Sequence, residues 1–126
     1  MTARRYSEPV VWSSLCLLPA AMLLAAQGSL LSLLYAGSAL VSLAYHRARE
    51  SRWRKLDYLF AWGVIVSNGV LAATSRSGPW ACAGLVLVLV ALRFYVLAKQ
   101  FRYARRHSWW HLASGAACVC FVLGRG

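Results

Sequence analysis

The sequence predicts an all-α integral membrane protein of one domain, residues 1–126, with five transmembrane helices. Hydrophobic residues make up 60% of the chain, which is well above their usual share in soluble domains. Apolar windows close to the length that crosses a bilayer follow one another along the sequence. Lys and Arg collect between alternate windows, as they do in the cytoplasmic loops of membrane proteins.

Helices 1 and 2 are predicted over residues 9–26 and 30–46. A single helix through both windows would be far longer than a bilayer requires. The residues that separate the windows favour a tight turn, and they are Gln27, Gly28 and Ser29. We therefore expect a helical hairpin. A cleaved signal peptide is the alternative interpretation of the first window, because Arg4 and Arg5 precede it and small residues follow it.

Helices 3, 4 and 5 are predicted over residues 56–74, 80–98 and 107–123. The four cysteines lie inside predicted helices and have no CxxC spacing, so we expect them to act as small apolar residues. A disulfide between Cys82 and either Cys118 or Cys120 near the outer face is the alternative, since spacing does not determine connectivity. Asn68, a polar residue in the middle of helix 3, is expected to bridge neighbouring helices. No internal repeat and no soluble domain is indicated.

Basic residues determine the predicted orientation. Those in the segments on one side of the membrane are Arg4, Arg5, Arg47, Arg49, Arg52, Arg54, Lys55, Lys99, Arg102, Arg105 and Arg106. The other side receives only Arg76 and Arg125. The positive-inside rule then places the N-terminus in the cytoplasm and the C-terminus outside. Because the positive charge is explained by topology and by attraction to anionic lipid headgroups, we expect the lipid bilayer as a partner and no nucleic acid.

Polar and ionisable side chains gather at the cytoplasmic ends of three predicted helices. They are Ser42 and His46 at the end of helix 2, Asp57 at the start of helix 3, and His107 and His111 at the start of helix 5. His46 and Asp57 are equally far from the centre of the loop between them, so a hairpin places them at one level. Residues four apart share a helix face, which pairs Ser42 with His46 and His107 with His111. Ionisable groups at membrane depth are costly and by default mark a functional site.

Three histidines with one open coordination position form the usual sphere of a catalytic zinc ion. Because His46, His107 and His111 are all the histidines of the chain, the sequence predicts a Zn²⁺ site at their common level. Simpler interpretations are open as well. A histidine at a membrane interface is commonly solvated or hydrogen-bonded, and Asp57 could instead pair with the basic residues of the adjacent loop.

The spacing of these residues resembles the motif of the CREST superfamily of membrane proteins, which includes the alkaline ceramidases and the adiponectin and progestin receptors. Its motif is Ser-x3-His at the end of the second helix, Asp at the start of the third, and His-x3-His at the start of the last. This chain has SLAYH at 42–46, LDY at 56–58 and HSWWH at 107–111. The motif positions are therefore all present and in the same order.

The resemblance implies that His46, His107 and His111 bind zinc. It also implies that Asp57 orients or deprotonates a water at the metal, and that Ser42 assists there or holds the developing oxyanion. The implied chemistry is hydrolysis of a lipid amide or ester, so the implied partner is a membrane lipid substrate.

The helix number departs from the family, which has seven helices where this sequence predicts five. Fewer helices enclose less volume for a lipid. A homodimer could restore the missing wall, since Gly37, Ser38 and Ser42 form a ridge that would allow close helix packing. A calcium site like that of the ceramidases is not expected, because Glu8 is the only acid before helix 1 and calcium needs several oxygen ligands.

Three functions are open on the sequence alone. The first is a zinc-dependent lipid hydrolase, and the second is a non-catalytic membrane protein in which zinc links helices 2 and 5. The third is a helical bundle whose histidines are hydrogen-bonded and bind no metal. Asp57 and Ser42 favour the enzyme, because a structural metal needs only its ligands.

Overall fold

The computed structural model describes residues 12–48, 50–76, 78–98 and 103–125, and it is all-helical over these ranges, without strands. A 3₁₀ turn, Ser14–Leu17, precedes the first α-helix. The helices are α1 (Leu18–Ala26), α2 (Leu31–Ala48), α3 (Ser51–Thr74), α4 (Pro79–Ala98) and α5 (Tyr103–Arg125). The predicted all-helical class with five helices is confirmed. Arg4, Arg5 and Glu8 lie outside the described residues.

The predicted break between the first two helices is a glycine turn. Gly28 has a φ of +68°, in the left-handed region where a side chain would be strained. Its N–H donates to the carbonyl of Ala25 at 2.9 Å, and the N–H of Ser29 donates to the carbonyl of Leu24 at 2.9 Å. This pair of bonds is the Schellman pattern, which satisfies carbonyls that the end of a helix leaves free. The hairpin expected from the sequence is therefore present.

Helices α3 and α5 begin before the apolar windows that predicted them, at Ser51 and Tyr103. Arg and Lys are good helix formers, so the basic residues ahead of each window extend the helix by about a turn. As a result, Asp57 and His107 lie in the second turn of regular helix, where the backbone fixes the direction of their side chains.

Helix α5 is the centre of the bundle. It packs closely along α4, and it also contacts α1, α3 and the 3₁₀ turn. Helix α2 packs on α1, α3 and the 3₁₀ turn, whereas in the described ranges its backbone makes no close approach to that of α5. Side chains alone therefore connect α2 to α5. The buried core between the helices includes Leu24, Tyr35, Val64, Ala117 and Phe121.

Two glycines on α4 and α5 allow close contacts. A Cβ atom on Gly84 would lie 2.5 Å from the ring of the fully buried Phe121. A Cβ atom on Gly115 would collide with the backbone carbonyl of Cys16 in the 3₁₀ turn. The first contact sets the spacing of α4 and α5, and the second brings the 3₁₀ turn against the middle of α5.

The apolar helices include two in the described residues that are long enough to cross a membrane, Ser51–Thr74 and Pro79–Leu97. A shorter apolar helical segment covers Ser14–Ala26. All four cysteines, which lie in the described part of the chain, carry free thiols.

We expect Gly84→Ala to lower the free energy of unfolding by about 1–3 kcal/mol, because the added methyl group overpacks against a buried ring. Thermal unfolding of the detergent-solubilised protein measures the effect. Gly69→Ala is the matched control, since no atom lies within 4 Å of a Cβ at that helical position. The control should match wild type or gain up to about 1 kcal/mol from helix propensity. Unchanged stability of Gly84→Ala would contradict the close packing of α4 and α5.

Candidate metal centre

Three buried imidazoles meet where the end of α2 faces the start of α5. One ring nitrogen from each of His46, His107 and His111 lies within 4.8 Å of the other two. The ring centroids are 4.5 Å apart for His107 and His111, 5.2 Å for His46 and His107, and 5.8 Å for His46 and His111. The three side chains are 1%, 6% and 3% exposed in sequence order, so the cluster is shielded from bulk solvent.

This donor set fits a zinc ion. Zinc binds imidazole nitrogen at about 2.0–2.1 Å, so two ligands of a tetrahedral site lie about 3.4 Å apart. Nitrogens that are already within 4.8 Å of one another need side-chain rotations that close at most about 1.4 Å to reach this spacing. Three imidazoles leave the fourth position for a water or a substrate oxygen.

Ser42 joins the imidazole cluster from α2, one turn before His46. Its Oγ lies 3.2 Å from Nε2 of His111. The same hydroxyl accepts a hydrogen bond of 3.2 Å from Ser14 in the 3₁₀ turn. Ser42 is 1% exposed, and its contacts connect α2 to both α5 and the 3₁₀ turn.

Asp57 of α3 lies beside Ser42 and His111, and all three line one cavity. Its carboxyl group interacts with the Ser42 hydroxyl, and the side chain is half-buried. Among the described residues, no ion pair joins Asp57 to Arg54 or Lys55. The carboxyl group is thus directed toward the polar cluster and not toward the basic loop.

A small cavity lies beside the His111 imidazole and has room for about one water molecule. It is lined by Leu17, Ser38, Ser42, Asp57, Ala61, Val64, Trp110, His111 and Ser114. Hydroxyl, carboxyl and imidazole groups together supply the several polar partners that a buried water requires. The cavity therefore suits a water next to His111, and it is too small for an acyl chain.

Three serines of the site were not predicted from the sequence. Ser13 Oγ lies 2.9 Å from Nδ1 of His111, and Ser14 donates to Ser42. Ser114 lines the cavity, and its buried Oγ has no hydrogen-bond partner within the described part of the chain. Ser114 follows His111 by three residues, so helical spacing could have identified it. No sequence signal connects Ser13 to His111 across 98 positions.

Asn68 bridges helices as expected. Its Oδ1 accepts a hydrogen bond of 2.5 Å from the Tyr35 hydroxyl of α2, and its Nδ2 donates at 3.4 Å to the carbonyl of Ser114 in α5. The amide is 3% exposed, so this bridge is part of the core. It connects α2 to α5 through α3 at a level next to the cavity.

The small-residue ridge on α2 packs within the chain. A Cβ atom on Gly37 would lie 2.6 Å from the Phe60 ring of α3, and Ser38 and Ser42 line the cavity. The ridge thus lets α3 lie close to α2. A homodimer stays a prediction from the sequence.

Comparison with protein-family models, with curated proteins and with solved structures yields no match to this chain. The resemblance to the CREST superfamily therefore depends on the motif residues alone.

We expect the purified protein to hold about one zinc ion per chain and to lose it in His46→Ala, His107→Ala and His111→Ala, because two imidazoles are too few for a stable site. Elemental mass spectrometry of protein purified in detergent without chelators measures the content. Cys82→Ser is a suitable control, since it removes an exposed thiol in the first turn of α4 and should leave the metal in place. Zinc that persists in all three histidine variants would contradict ligation by this cluster.

Proposed function

We propose that this chain is a zinc-dependent hydrolase that acts within the membrane on a lipid amide or ester. The observation that carries the proposal is the convergence of three buried imidazoles with the Ser42 hydroxyl and the Asp57 carboxyl group. A metal that only holds helices together needs its ligands and nothing more. Hydrolysis also needs a base and a space for water. Asp57 would be the base, and the cavity that it lines together with Ser42 and His111 has room for about one water.

An outward-facing apolar surface supports a location in the membrane. Exposed large apolar side chains on α3 and α4 include Leu59, Trp62, Val66, Val70, Leu85, Val86 and Leu89. A continuous apolar surface is unfavourable in water and favourable against lipid tails.

We extend this to a multi-pass arrangement in which all five helices span the bilayer, with the N-terminus cytoplasmic and the C-terminus outside. The imidazole cluster then lies near the cytoplasmic face, at the end of the bundle where α2 carries Arg47 and α3 carries Arg52.

The chain's own groups have distinct tasks in this chemistry. A zinc ion held by the three imidazoles would supply a Lewis acid that polarises a carbonyl and acidifies a water. Asp57 accepts the proton of the attacking water and returns it to the leaving amine or alcohol. Once Asp57 carries that proton and no longer needs a donor, Ser42, whose oxygen accepts a hydrogen bond from Ser14, turns its own proton to the carbonyl oxygen, where negative charge develops. The burial of the imidazoles excludes bulk water from the reacting groups.

The motif likeness to the CREST superfamily favours the same class of substrate. In that interpretation the scissile bond is an amide or ester near the headgroup of a lipid, as in ceramide. The position of the cluster near one end of the helices suits such a bond, because the headgroup region lies at the end of a membrane-spanning helix.

A structural zinc site is the second candidate, and the size of the cavity favours it. The cavity has room for about one water, and Trp110, one of its lining residues, is only 4% exposed. A metal in this position would join α2 to α5, whose backbones do not approach each other closely in the described ranges. Such a metal would stabilise the bundle without turning over a substrate.

Asp57→Asn separates the two candidates. We expect this variant to retain zinc, because Asp57 is not a ligand, and to lose hydrolysis by about 100-fold or more, because the amide cannot act as a base. The measurement is fatty-acid release from ceramides and acyl esters by purified protein in lipid nanodiscs, with zinc content determined on the same samples. Glu50→Gln is the matched control, since Glu50 is an exposed acid at the same end that pairs with Arg52.

Full activity of Asp57→Asn would contradict the hydrolase mechanism. Zinc-loaded wild-type protein that cleaves none of the lipids, but melts at a lower temperature once zinc is removed, would establish the structural role instead.

The proposed orientation predicts which loops a membrane-impermeant maleimide reaches in intact cells. In a variant whose native cysteines are replaced by serine, Ser75→Cys should be labelled from outside, because it lies between α3 and α4. Ser51→Cys, at the start of α3, should react only after the membrane is permeabilised. The reverse pattern would invert the orientation, and equal labelling of both positions would exclude a span between them.

A further inference from the structure

We infer that Ser13 is a positioning residue of the metal centre, which holds the His111 imidazole by Nδ1 so that Nε2 faces the metal. The inference rests on the proposed function, because it takes His111 as a zinc ligand. It deepens that function by assigning a task to the segment of chain ahead of α1.

The two nitrogens of His111 face different parts of the protein. Nδ1 lies 2.9 Å from the Ser13 hydroxyl, and Nε2 lies 3.2 Å from the Ser42 hydroxyl of α2. Ser42 is one helical turn from His46, the ligand that α2 contributes. Nε2 is therefore the nitrogen on the side of the other ligands, and Nδ1 is the nitrogen on the side of Ser13.

A neutral imidazole carries one N–H, so binding of a metal by Nε2 places the proton on Nδ1. The Ser13 oxygen is at hydrogen-bond distance to accept that proton. A partner of this kind fixes the tautomer and the orientation of the ring, and it raises the basicity of the nitrogen that binds the metal. Ser13 thus acts on the metal through His111 and does not touch it.

The close approach of Ser13 to α5 depends on Gly115, one turn after His111. A Cβ atom at that position would collide with the carbonyl of Cys16, which lies three residues after Ser13. Leu17, at the end of the same turn, is 3% exposed and belongs to the core, so the turn is anchored on both sides. The segment can hold Ser13 against the ring because the glycine leaves space for its backbone.

Zinc affinity of the full chain tests the inference. The dissociation constant is measured in detergent by competition with a chromophoric chelator for wild type, Ser13→Thr, Ser13→Val and Ser13→Ala. We expect Ser13→Thr to match wild type, because it keeps the hydroxyl, and Ser13→Val and Ser13→Ala to bind zinc about 10-fold more weakly, the lower end of the effect of outer-shell partners. Threonine and valine have nearly the same shape, so their comparison isolates the hydrogen bond from packing.

Ser32→Ala is the control for loss of a serine elsewhere, since Ser32 lies at the opposite end of α2, and its dissociation constant should equal that of wild type. A second readout is the imidazole N–H of His111 in the zinc-loaded protein, which should exchange slowly in wild type and Ser13→Thr and rapidly in Ser13→Val.

Equal affinities of Ser13→Thr and Ser13→Val, with zinc bound in both, would overturn the inference and leave the proposed function intact. A wild-type protein that binds no zinc would overturn the proposed function, and this inference with it.

Discussion

The separation of α2 and α5 is the constraint on which the candidate site depends. The 3₁₀ turn and α3 each pack against both helices, so in the described ranges the two backbones do not come close. Side chains fill the space between them, with His46 and Ser42 reaching from α2 toward the imidazoles of α5. Burying polar side chains costs free energy unless they have partners, so a space between helices that is filled by polar groups is unusual in an apolar bundle. A bound cation would give these groups a common partner and join the two helices.

Hydrolase and structural zinc site share this geometry and differ in access to the cavity. Trp110 lines the cavity, and its ring packs against Tyr95 of α4 with centroids 5.0 Å apart. Helices α3 and α4 make few direct contacts although they are consecutive in the chain. Ala61 of α3 and Ala91 of α4 belong to the same buried cluster as this aromatic pair. A hydrolase would need these buried side chains to move before a lipid could reach the cavity, whereas a structural metal would not.

The segment ahead of α1 packs against α5 at a glycine, Gly115. Ser13 and Ser14 bond to His111 and Ser42, and their approach requires the missing side chain of Gly115. The Ser13 hydroxyl lies at Nδ1 of the His111 ring and the Ser42 hydroxyl lies at Nε2. The imidazole is therefore held both from the N-terminal segment and from α2. A fixed ring orientation is what a metal site needs from its surroundings, because small displacements of a ligand weaken coordination.

The sequence by itself determined the all-helical class, the number of helices and the glycine turn after α1, because apolar windows and Gly28 are local signals. It also identified His46, Asp57 and the HxxxH pair, since helical spacing and hairpin symmetry place such residues at one level. Only the tertiary structure decided that Ser13, Ser14 and Ser114 join them, and that the cavity has room for about one water and not for a lipid chain. Those features depend on how helices from distant parts of the chain pack against one another, and packing distances leave no periodic trace in the sequence.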